Sequence, residues 1–163
     1  QAIHAIDLFV WAAGMPQQIT AQARTLNHQI EVEDGALAIL SYGGGAMGLI
    51  QATTVAYPGY AERLEFYGTK GGVIYHKGEG RLEWHLLDPA EDGEHRSGVS
   101  SGAARPMDIT ADAHAALFRD FAAAIRTGGT PLVHGGEGRR SLEVVEAIYR
   151  SSRSGAPIAL ARA

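Results

Sequence analysis

His4 and Asp7 are the residues whose types and spacing offer the clearest chemistry in this sequence. They lie three residues apart in the opening segment 1–11, so in a helix their side chains share one face about a turn apart. The helical wheel surrounds them with apolar side chains, which predicts a buried helix. A buried imidazole is either a satisfied core residue or an acid–base group, and both alternatives stay open here. Asp7 is more typical of a structural carboxylate that fixes the tautomer of an imidazole.

The helix that carries these two residues has no N-terminal cap. No Ser, Thr, Asp or Asn precedes Ile3, although such side chains usually satisfy the free N–H groups of a first turn. Because a buried helix that starts uncapped is unusual, we expect that the chain was cut from something longer.

Tyr60 and His114 are two further candidates, for contact with a small molecule. Tyr60 flanks a Pro-Gly turn at the end of a predicted strand, and His114 lies in the first turn of a predicted helix. Turn tyrosines and surface histidines are also common without a ligand. The remaining histidines show no metal-ligand spacing and the chain contains no cysteine, so we expect neither a metal site nor a disulfide.

Two glycine-rich segments need a structural explanation as well as a functional one. The segment 43–48 fits G-x-G-x-x-G, but a dinucleotide site requires a helix after these glycines. Leu49 onward is typical of a strand, so we predict a hairpin turn. The segment 134–138, His-Gly-Gly-Glu-Gly, superficially resembles an oxyanion-hole loop. It leads into a predicted helix, and we interpret it as the glycine-rich start of that helix.

Length and composition restrict the class of protein. The chain has 163 residues, enough for one domain with its own core, and a formal net charge of -4. That charge, without a basic tract, disfavours nucleic acid and anionic membranes as partners. No apolar run approaches the roughly 20 residues of a membrane-spanning helix. Together with the absence of cysteine, these features predict a cytoplasmic protein.

Hydrophobic periodicity predicts an α+β fold. After a first helix that ends at Gly14, short turns join six strand candidates, at 19–26, 36–42, 46–56, 63–67, 72–76 and 81–86. This order indicates an open, mainly antiparallel sheet of about six strands with helices on one face. A loop at 88–106, helices at 112–127 and 137–154, and a short strand at 157–160 complete the prediction. The stripes we expect the last two helices to bury are Leu117, Phe121, Ala124 and Ile125, and Leu142, Val145, Ile148 and Tyr149.

The second face of such a sheet has no predicted element to cover it. Strands that alternate apolar residues with Thr, Gln and Ala would expose a wide, partly apolar surface, which monomers seldom tolerate. We therefore expect self-association through the sheet, with a symmetric dimer as the commonest form. The alternative is a face polar enough to stay in contact with water.

Six segments carry a family resemblance when they are taken in order. They are Gln-Ala-Ile-His-Ala-Ile-Asp-Leu-Phe-Val-Trp at 1–11, Val-Glu-Asp-Gly-Ala at 32–36, Tyr-Pro-Gly-Tyr at 57–60, Leu-Glu-Phe-Tyr-Gly-Thr-Lys-Gly-Gly at 64–72, Phe-Arg-Asp-Phe-Ala-Ala-Ala-Ile-Arg at 118–126 and Glu-Ala-Ile-Tyr-Arg-Ser at 146–151. The series resembles the C-terminal domain of the glucose-fructose oxidoreductase / inositol dehydrogenase / rhizopine catabolism (Gfo/Idh/MocA) family, over essentially all 163 residues.

The resemblance implies a glyceraldehyde-3-phosphate-dehydrogenase-like C-terminal domain of an NAD(P)-dependent oxidoreductase that acts on a sugar, cyclitol or related polyol. Such a domain supplies the substrate pocket and the oligomer interface, here of a homodimer or tetramer. An N-terminal Rossmann domain with a Glu-Lys-Pro motif would bind NAD or NADP, and this sequence contains neither feature in its proper context. We therefore expect residues 1–163 to be the C-terminal domain alone, without bound cofactor and inactive by itself.

The resemblance also assigns roles to residues. His4 matches the family's acid/base histidine, which exchanges a proton with the substrate hydroxyl, and Tyr60 resembles an aromatic position near the substrate. Two alternatives remain: a non-catalytic dimerisation or ligand-binding module, and a complete stand-alone α+β dimer.

Overall fold

The computed structural model describes residues 2–96 and 112–160, which form three helices and eight strands. In chain order these are α1 (Ile3–Ala13), β1 (Gln18–Arg24), β2 (Gly35–Ser41), β3 (Met47–Thr53), β4 (Arg63–Gly68), β5 (Gly71–His76), β6 (Arg81–Leu86), β7 (Gly93–Arg96), α2 (Asp112–Thr127), α3 (Gly135–Ser154) and β8 (Ile158–Ala159). The chain divides into two units. The first contains α1, β1–β3, α3 and β8, and the second contains β4–β7 and α2.

The strands form two antiparallel sheets, and the predicted α+β class is confirmed. The strand order is β3-β2-β1-β8 in the first unit and β4-β5-β6-β7 in the second. We expected one sheet of about six strands, whereas the hydrogen bonds of the described residues divide eight strands between two sheets. β8 matches the short strand expected at 157–160. β7 lies in the segment predicted as a loop, because a four-residue strand among turn-forming residues shows too little alternation to be recognised. The rest of the loop predicted at 88–106, from residue 97 onward, lies outside the described residues.

Helices α1 and α3 pack against one face of the first sheet. Side chains alternate along the strands, so Ile19 and Ala21 of β1 point toward the helices together with Ala38 and Leu40 of β2. The register keeps this face continuous, because Ile19 lies opposite Leu40 and Ala21 opposite Ala38. The helices complete the same buried cluster with Ile6, Val10, Val144, Ala147 and Ile148.

Helix α1 is buried along one side only, so the prediction of a helix buried almost all round is wrong. Ile6 and Val10 are buried, whereas Trp11 is 76% exposed and both His4 and Asp7 lie at the surface. Among the described residues, α1 packs against α3 and one face of the first sheet. Two neighbours cannot cover all sides of a helix, so the remaining side of α1 is exposed. The start at Ala2 has no side-chain cap, as predicted.

Helix α3 buries a face adjacent to the one we predicted. Its buried residues are Ser141, Val144, Ala147, Ile148 and Ser151. The prediction named Leu142, Val145 and Tyr149 beside Ile148, but Leu142 is 61% exposed. Small side chains let α3 lie close to α1 and β1, and a prediction that follows the largest apolar residues misses such a face.

Two serines of α3 hydrogen-bond the backbone of β1. The N–H of Ala21 donates to Ser151 Oγ at 2.9 Å, and the N–H of Ala23 donates to Ser152 Oγ at 2.8 Å. Ser152 Oγ also donates to the carbonyl of Ala23, at 3.2 Å. Because β8 pairs with only the first two residues of β1, these hydroxyls satisfy backbone groups of β1 beyond the point where β8 ends.

The opposite face of the first sheet is not covered by described residues of that unit. Four apolar side chains on it are more than half exposed, namely Leu37, Ile39, Met47 and Leu49. Ile39 lies directly opposite Leu49 in the β2–β3 ladder, so the apolar residues adjoin. We call these four residues the open face. They confirm the predicted partly apolar surface, and whether it stays in contact with water or associates with a second copy stays a prediction.

The sheet of the second unit carries its charges on one face. Arg81 contacts the carboxylates of Glu83 and Glu94 from neighbouring positions of β6 and β7. His76 Nε2 lies 3.1 Å from Glu83 Oε1, and this contact, followed by the charge of Arg81, holds the pKa of Glu83 below its ordinary value. The other face is apolar and half-buried, with Leu64, Phe66, Val73, Tyr75, Leu82 and Trp84.

Helix α2 spans the predicted residues, but only one residue of its predicted apolar stripe is buried. Ala124 is buried, whereas Leu117, Phe121 and Ile125 are 44%, 54% and 68% exposed. The helical period predicts the element correctly, because it depends on local sequence. Burial depends on a neighbour, which the period alone does not report.

Candidate functional site

His4 lies in the first turn of α1 with its side chain exposed. Neither ring nitrogen has a hydrogen-bond partner among residues 2–96 and 112–160. The exposure excludes the alternative of a satisfied core histidine. An accessible imidazole whose nitrogens are not engaged by these residues can exchange a proton with a bound hydroxyl group.

Asp7 connects α1 to α3. Its Oδ1 accepts a hydrogen bond from Ser141 Oγ, and Ser141 is 3% exposed. The bond therefore joins a carboxylate at the surface of α1 to a hydroxyl buried at the contact between the helices. Within the described part of the chain, Asp7 has no hydrogen bond to His4. The predicted support of His4 by Asp7 stays a prediction. The hydrogen bond between Asp7 and Ser141, which links α1 to α3, was not predicted.

The charged residues beside Ser141 are paired along their own helix. Arg140 Nη1 lies 2.9 Å from Glu137 Oε2, and Arg139 Nε lies 2.7 Å from Glu143 Oε1. Both pairs are at helical spacing and partly exposed, so each contributes little to stability. Because these arginines are paired within α3, Asp7 is hydrogen-bonded to the neutral hydroxyl of Ser141 and not to a charged group of the described residues.

Both glycine-rich segments have structural roles, as predicted. Residues 43–45 form a turn between the antiparallel strands β2 and β3, with positive φ at Gly44 and Gly45. No helix follows the turn, so the segment 43–48 does not fit a dinucleotide pyrophosphate. His134 is the N-cap of α3, where its Nδ1 accepts from the N–H of Gly136 at 3.0 Å.

Tyr60 and His114 belong to the second unit, whereas His4 and Asp7 belong to the first. Tyr60 is 84% exposed between β3 and β4, and His114 is exposed in the first turn of α2. Neither side chain has a hydrogen bond to another described residue. Their predicted contact with substrate stays a prediction.

Two surface grooves of the first unit are separate from the His4 position. One, of about 490 Å³, lies between the end of β1 and the second half of α3, and the other, of about 370 Å³, lies on the uncovered side of the sheet. Neither is lined by His4 or Asp7. In the first groove the hydroxyl of Tyr149 donates to Glu33 Oε1 at 2.8 Å, and this bond raises the pKa of Tyr149.

The described residues contain neither a metal-binding cluster nor a membrane-spanning helix. No three His, Cys, Asp or Glu side chains come together there as a metal site requires. No helix among them is long and apolar enough to cross a membrane.

Asp34 is a buried carboxylate that the sequence prediction missed. It is 2% exposed and accepts hydrogen bonds from the backbone N–H groups of Leu26 at 2.6 Å, Asn27 at 2.9 Å and His28 at 2.8 Å. The ring of His28 adds a contact at 3.1 Å. These donors, led by the backbone N–H of His28, hold the pKa of Asp34 well below its usual range. The signal in the sequence is Asp before Gly35 after a polar stretch, which is typical of a side chain that organises a turn.

Two other features were missed. One is Ser141, which lies at the helical spacing 141, 144, 148, 151 of the buried face of α3. A small polar side chain is not counted in an apolar stripe, so the prediction left it out. The segment 98–102, Gly-Val-Ser-Ser-Gly, has the form G-x-S-x-G and lies outside the described residues.

Comparisons with known proteins cover nearly the whole chain. D-apiose dehydrogenase of Rhizobium rhizogenes is 25% identical over 157 residues, which are 94% of this chain and 45% of that protein. The structure of the WlbA dehydrogenase of Bordetella pertussis, in complex with NADH and UDP-GlcNAcA, is 28% identical with a TM-score of 0.74, over 100% of this chain and 44% of that one. An oxidoreductase from Agrobacterium radiobacter, in complex with NAD+, L-tartaric acid and magnesium, shares the fold at 23% identity with a TM-score of 0.76, over 97% and 47%.

The chain thus spans less than half the length of these relatives. The family model described as "Oxidoreductase family, C-terminal alpha/beta domain", of the Gfo/Idh/MocA proteins, matches residues 1–160. Its description as an alpha/beta domain agrees with the α+β fold. The chain belongs to the Gfo/Idh/MocA oxidoreductase family, as its C-terminal α/β domain.

Proposed function

We propose that the full-length protein is an NAD(P)-dependent oxidoreductase that oxidises an alcohol group of a sugar, cyclitol or related polyol. In this proposal the present chain supplies the substrate pocket and an acid/base histidine. The observation that carries it is the exposed His4 in the first turn of α1, in a chain that matches the family from residue 1 to residue 160. The curated relative named D-apiose dehydrogenase supports the choice of a sugar-like substrate.

His4 is the group that receives the proton of the substrate hydroxyl. Oxidation of an alcohol removes a proton from oxygen and a hydride from carbon, and a nicotinamide dinucleotide supplies the hydride acceptor when it is bound. Histidine suits the proton step because a free imidazole nitrogen can accept a proton and, when exposed, return it to solvent. Tyr60 and His114 are proposed to contact the polyol, and Asp7 to support the position of His4.

The dinucleotide is proposed to bind outside this chain. The segment 43–48 is a hairpin turn that does not fit it, and the relatives are more than twice as long as the matched region. We accordingly expect NAD or NADP to be held by a domain of the full-length protein that this chain does not contain. The cytoplasm, where both dinucleotides are available, is the proposed location.

The proposal is tested by assaying the full-length protein and the present chain with a panel of sugars and cyclitols and either dinucleotide. We expect the full-length protein to reduce the nicotinamide with at least one polyol, and the 163-residue chain to give no turnover. Formation of the reduced nicotinamide is followed by its near-ultraviolet absorbance. Turnover by the chain alone would contradict the proposal. A full-length protein that binds polyol without oxidising it would favour the ligand-binding alternative.

The open face is proposed to be the interface of a homodimer or tetramer. Burying a contiguous apolar patch removes it from water, which is the main favourable contribution to association. A two-fold axis through the sheet would place the same patch on both copies. The exposed pair Ile39 and Leu49 lies within this patch.

Leu49→Glu is expected to convert the assembly to smaller species, because a charge would be buried in the interface without a partner. Molar mass from light scattering on a size-exclusion column measures the change. Leu142→Glu on α3 is the matched control, since Leu142 is 61% exposed and Leu49 66%, and it should leave the mass unchanged. An unaltered mass in Leu49→Glu would remove the open face as the interface.

A further inference from the structure

The contact between α1 and α3 is mostly apolar. Ile6 and Val10 of α1 share one buried cluster with Val144, Ala147 and Ile148 of α3. Such contacts are favourable but not directional, so a hydrogen bond at the same contact adds a directional constraint that apolar packing does not supply. A group that must meet a substrate atom needs a more exact direction.

The hydrogen bond from Ser141 Oγ to Asp7 Oδ1 supplies a direction at this contact. Asp7 and His4 are about 60° apart around the helix, and Asp7 lies between His4 and the buried side that Ile6 and Val10 define. A bond that fixes Asp7 against α3 therefore fixes the direction in which the next turn presents His4. Helical side chains also lean toward the N-terminus, which brings Asp7 toward the turn of His4.

We propose that Ser141 is a positioning residue for His4, which acts by holding Asp7 and thereby the rotational setting of α1. The inference rests on the proposed function, in which His4 exchanges a proton with substrate. Ser141 itself touches neither His4 nor, in this proposal, the substrate.

What Ser141 needs from Asp7 is an acceptor rather than a charge. Among the described residues Asp7 forms no ion pair, and the nearby charges on α3 are paired as Arg140 with Glu137 and Arg139 with Glu143. Within β1, β2, β3 and β8 the charged residue is Arg24, on the sheet face opposite the helices. An asparagine at position 7 keeps a carbonyl oxygen for the Ser141 hydroxyl.

The test compares kinetics of variants of the full-length protein. Ser141→Ala and Asp7→Ala are each expected to lower kcat about 10-fold with KM changed less than about 2-fold. The double variant should be no slower than either single variant, because both remove one interaction. Asp7→Asn keeps the acceptor for Ser141 and should recover most of the kcat that Asp7→Ala loses.

Ser151→Ala is the matched control for a merely structural effect. Ser151 is also a buried serine of α3, and its hydroxyl accepts from the N–H of Ala21 and donates to the carbonyl of Ala156 at 2.8 Å. Its loss should lower the melting temperature and leave kcat unchanged, with circular dichroism showing that each variant is folded at the assay temperature. Ser141 has no positioning role if Ser141→Ala keeps full kcat, if Ser151→Ala loses as much, if Asp7→Asn is as slow as Asp7→Ala, or if the single effects add. His4→Asn distinguishes a failure of this inference from a failure of the proposed function. Full turnover in that variant would contradict the proposed function itself.

Discussion

Replacing His4 with asparagine in the full-length protein is expected to lower kcat by about 10²- to 10⁴-fold, the usual contribution of a positioned general base or acid. Asparagine is polar and of similar size, but it cannot take up the proton of an alcohol. Because the side chain is exposed, the substitution leaves the core intact and the loss reports chemistry rather than folding. Steady-state rates with the best polyol and its dinucleotide measure it.

A histidine on the surface of β7 provides the control for His4. His95→Asn replaces an exposed histidine of the second unit and should leave kcat unchanged. A second variant, His4→Ala, opens space beside α1, and added imidazole is expected to restore part of its rate by replacing the missing proton acceptor. If imidazole restores nothing and His4→Asn retains full kcat, His4 has no acid–base role.

Asp34→Ala is expected to have the largest effect on stability, lowering the melting temperature by about 10 °C. The substitution removes a side chain that is 2% exposed and leaves the N–H groups of Leu26, Asn27 and His28 without their carboxylate acceptor. The loss of three partly buried hydrogen bonds to one charged group is among the larger effects that a single substitution has. Thermal unfolding followed by circular dichroism measures the difference.

Asp92→Ala is the matched control for Asp34. Asp92 accepts from the N–H of Leu86 at 2.7 Å and contacts the ring of His85, but its side chain is 34% exposed. Water can replace this carboxylate, so the melting temperature should fall much less. Equal losses in the two variants would show that burial of Asp34 is not what makes it important.

Asp34 also predicts how stability responds to acid. Its pKa is held below the ordinary value in the folded protein, so its contribution is complete above the unfolded pKa of about 3.9 and is lost as pH falls below it. The unaltered protein should therefore lose stability more steeply than Asp34→Ala below about pH 4. Melting temperatures measured across that range check the sign.

The elements of this fold are local in origin, and this is why most of them could be predicted. The alternation of polar and apolar residues in β4 and the end of α1 at Gly14, where φ is 79°, each depend on a few neighbouring residues. Burial is not local. The wheel of α1 cannot report that Trp11 faces outward, because that depends on which elements reach the helix.

The candidate site shows the same division. Residue type and a place on the first helix make His4 a candidate, whereas the positioning proposed for it depends on Ser141, a residue 134 positions along the chain from Asp7. No periodicity within either helix encodes that pairing. Asp34 and its three donors lie within nine positions, so this group of contacts is local and follows from turn chemistry.

The serine contacts along β1 have a consequence for how sheets grow. An unpaired strand edge can recruit another chain and extend into a fibre, but Ser151 and Ser152 occupy backbone groups of β1 that β8 is too short to cover. Within the first unit the long edge left is β3, seven residues without charge or proline. A strand of a second chain could pair with β3, but the opposite edge of the sheet, at β1 and β8, offers no free strand to a third chain. Pairing would therefore stop after one partner. Removing both hydroxyls would leave the sheet with two unpaired strand edges, at β1 and at β3. A chain with two such edges can pair with a neighbour on each side and so extend into an open-ended polymer.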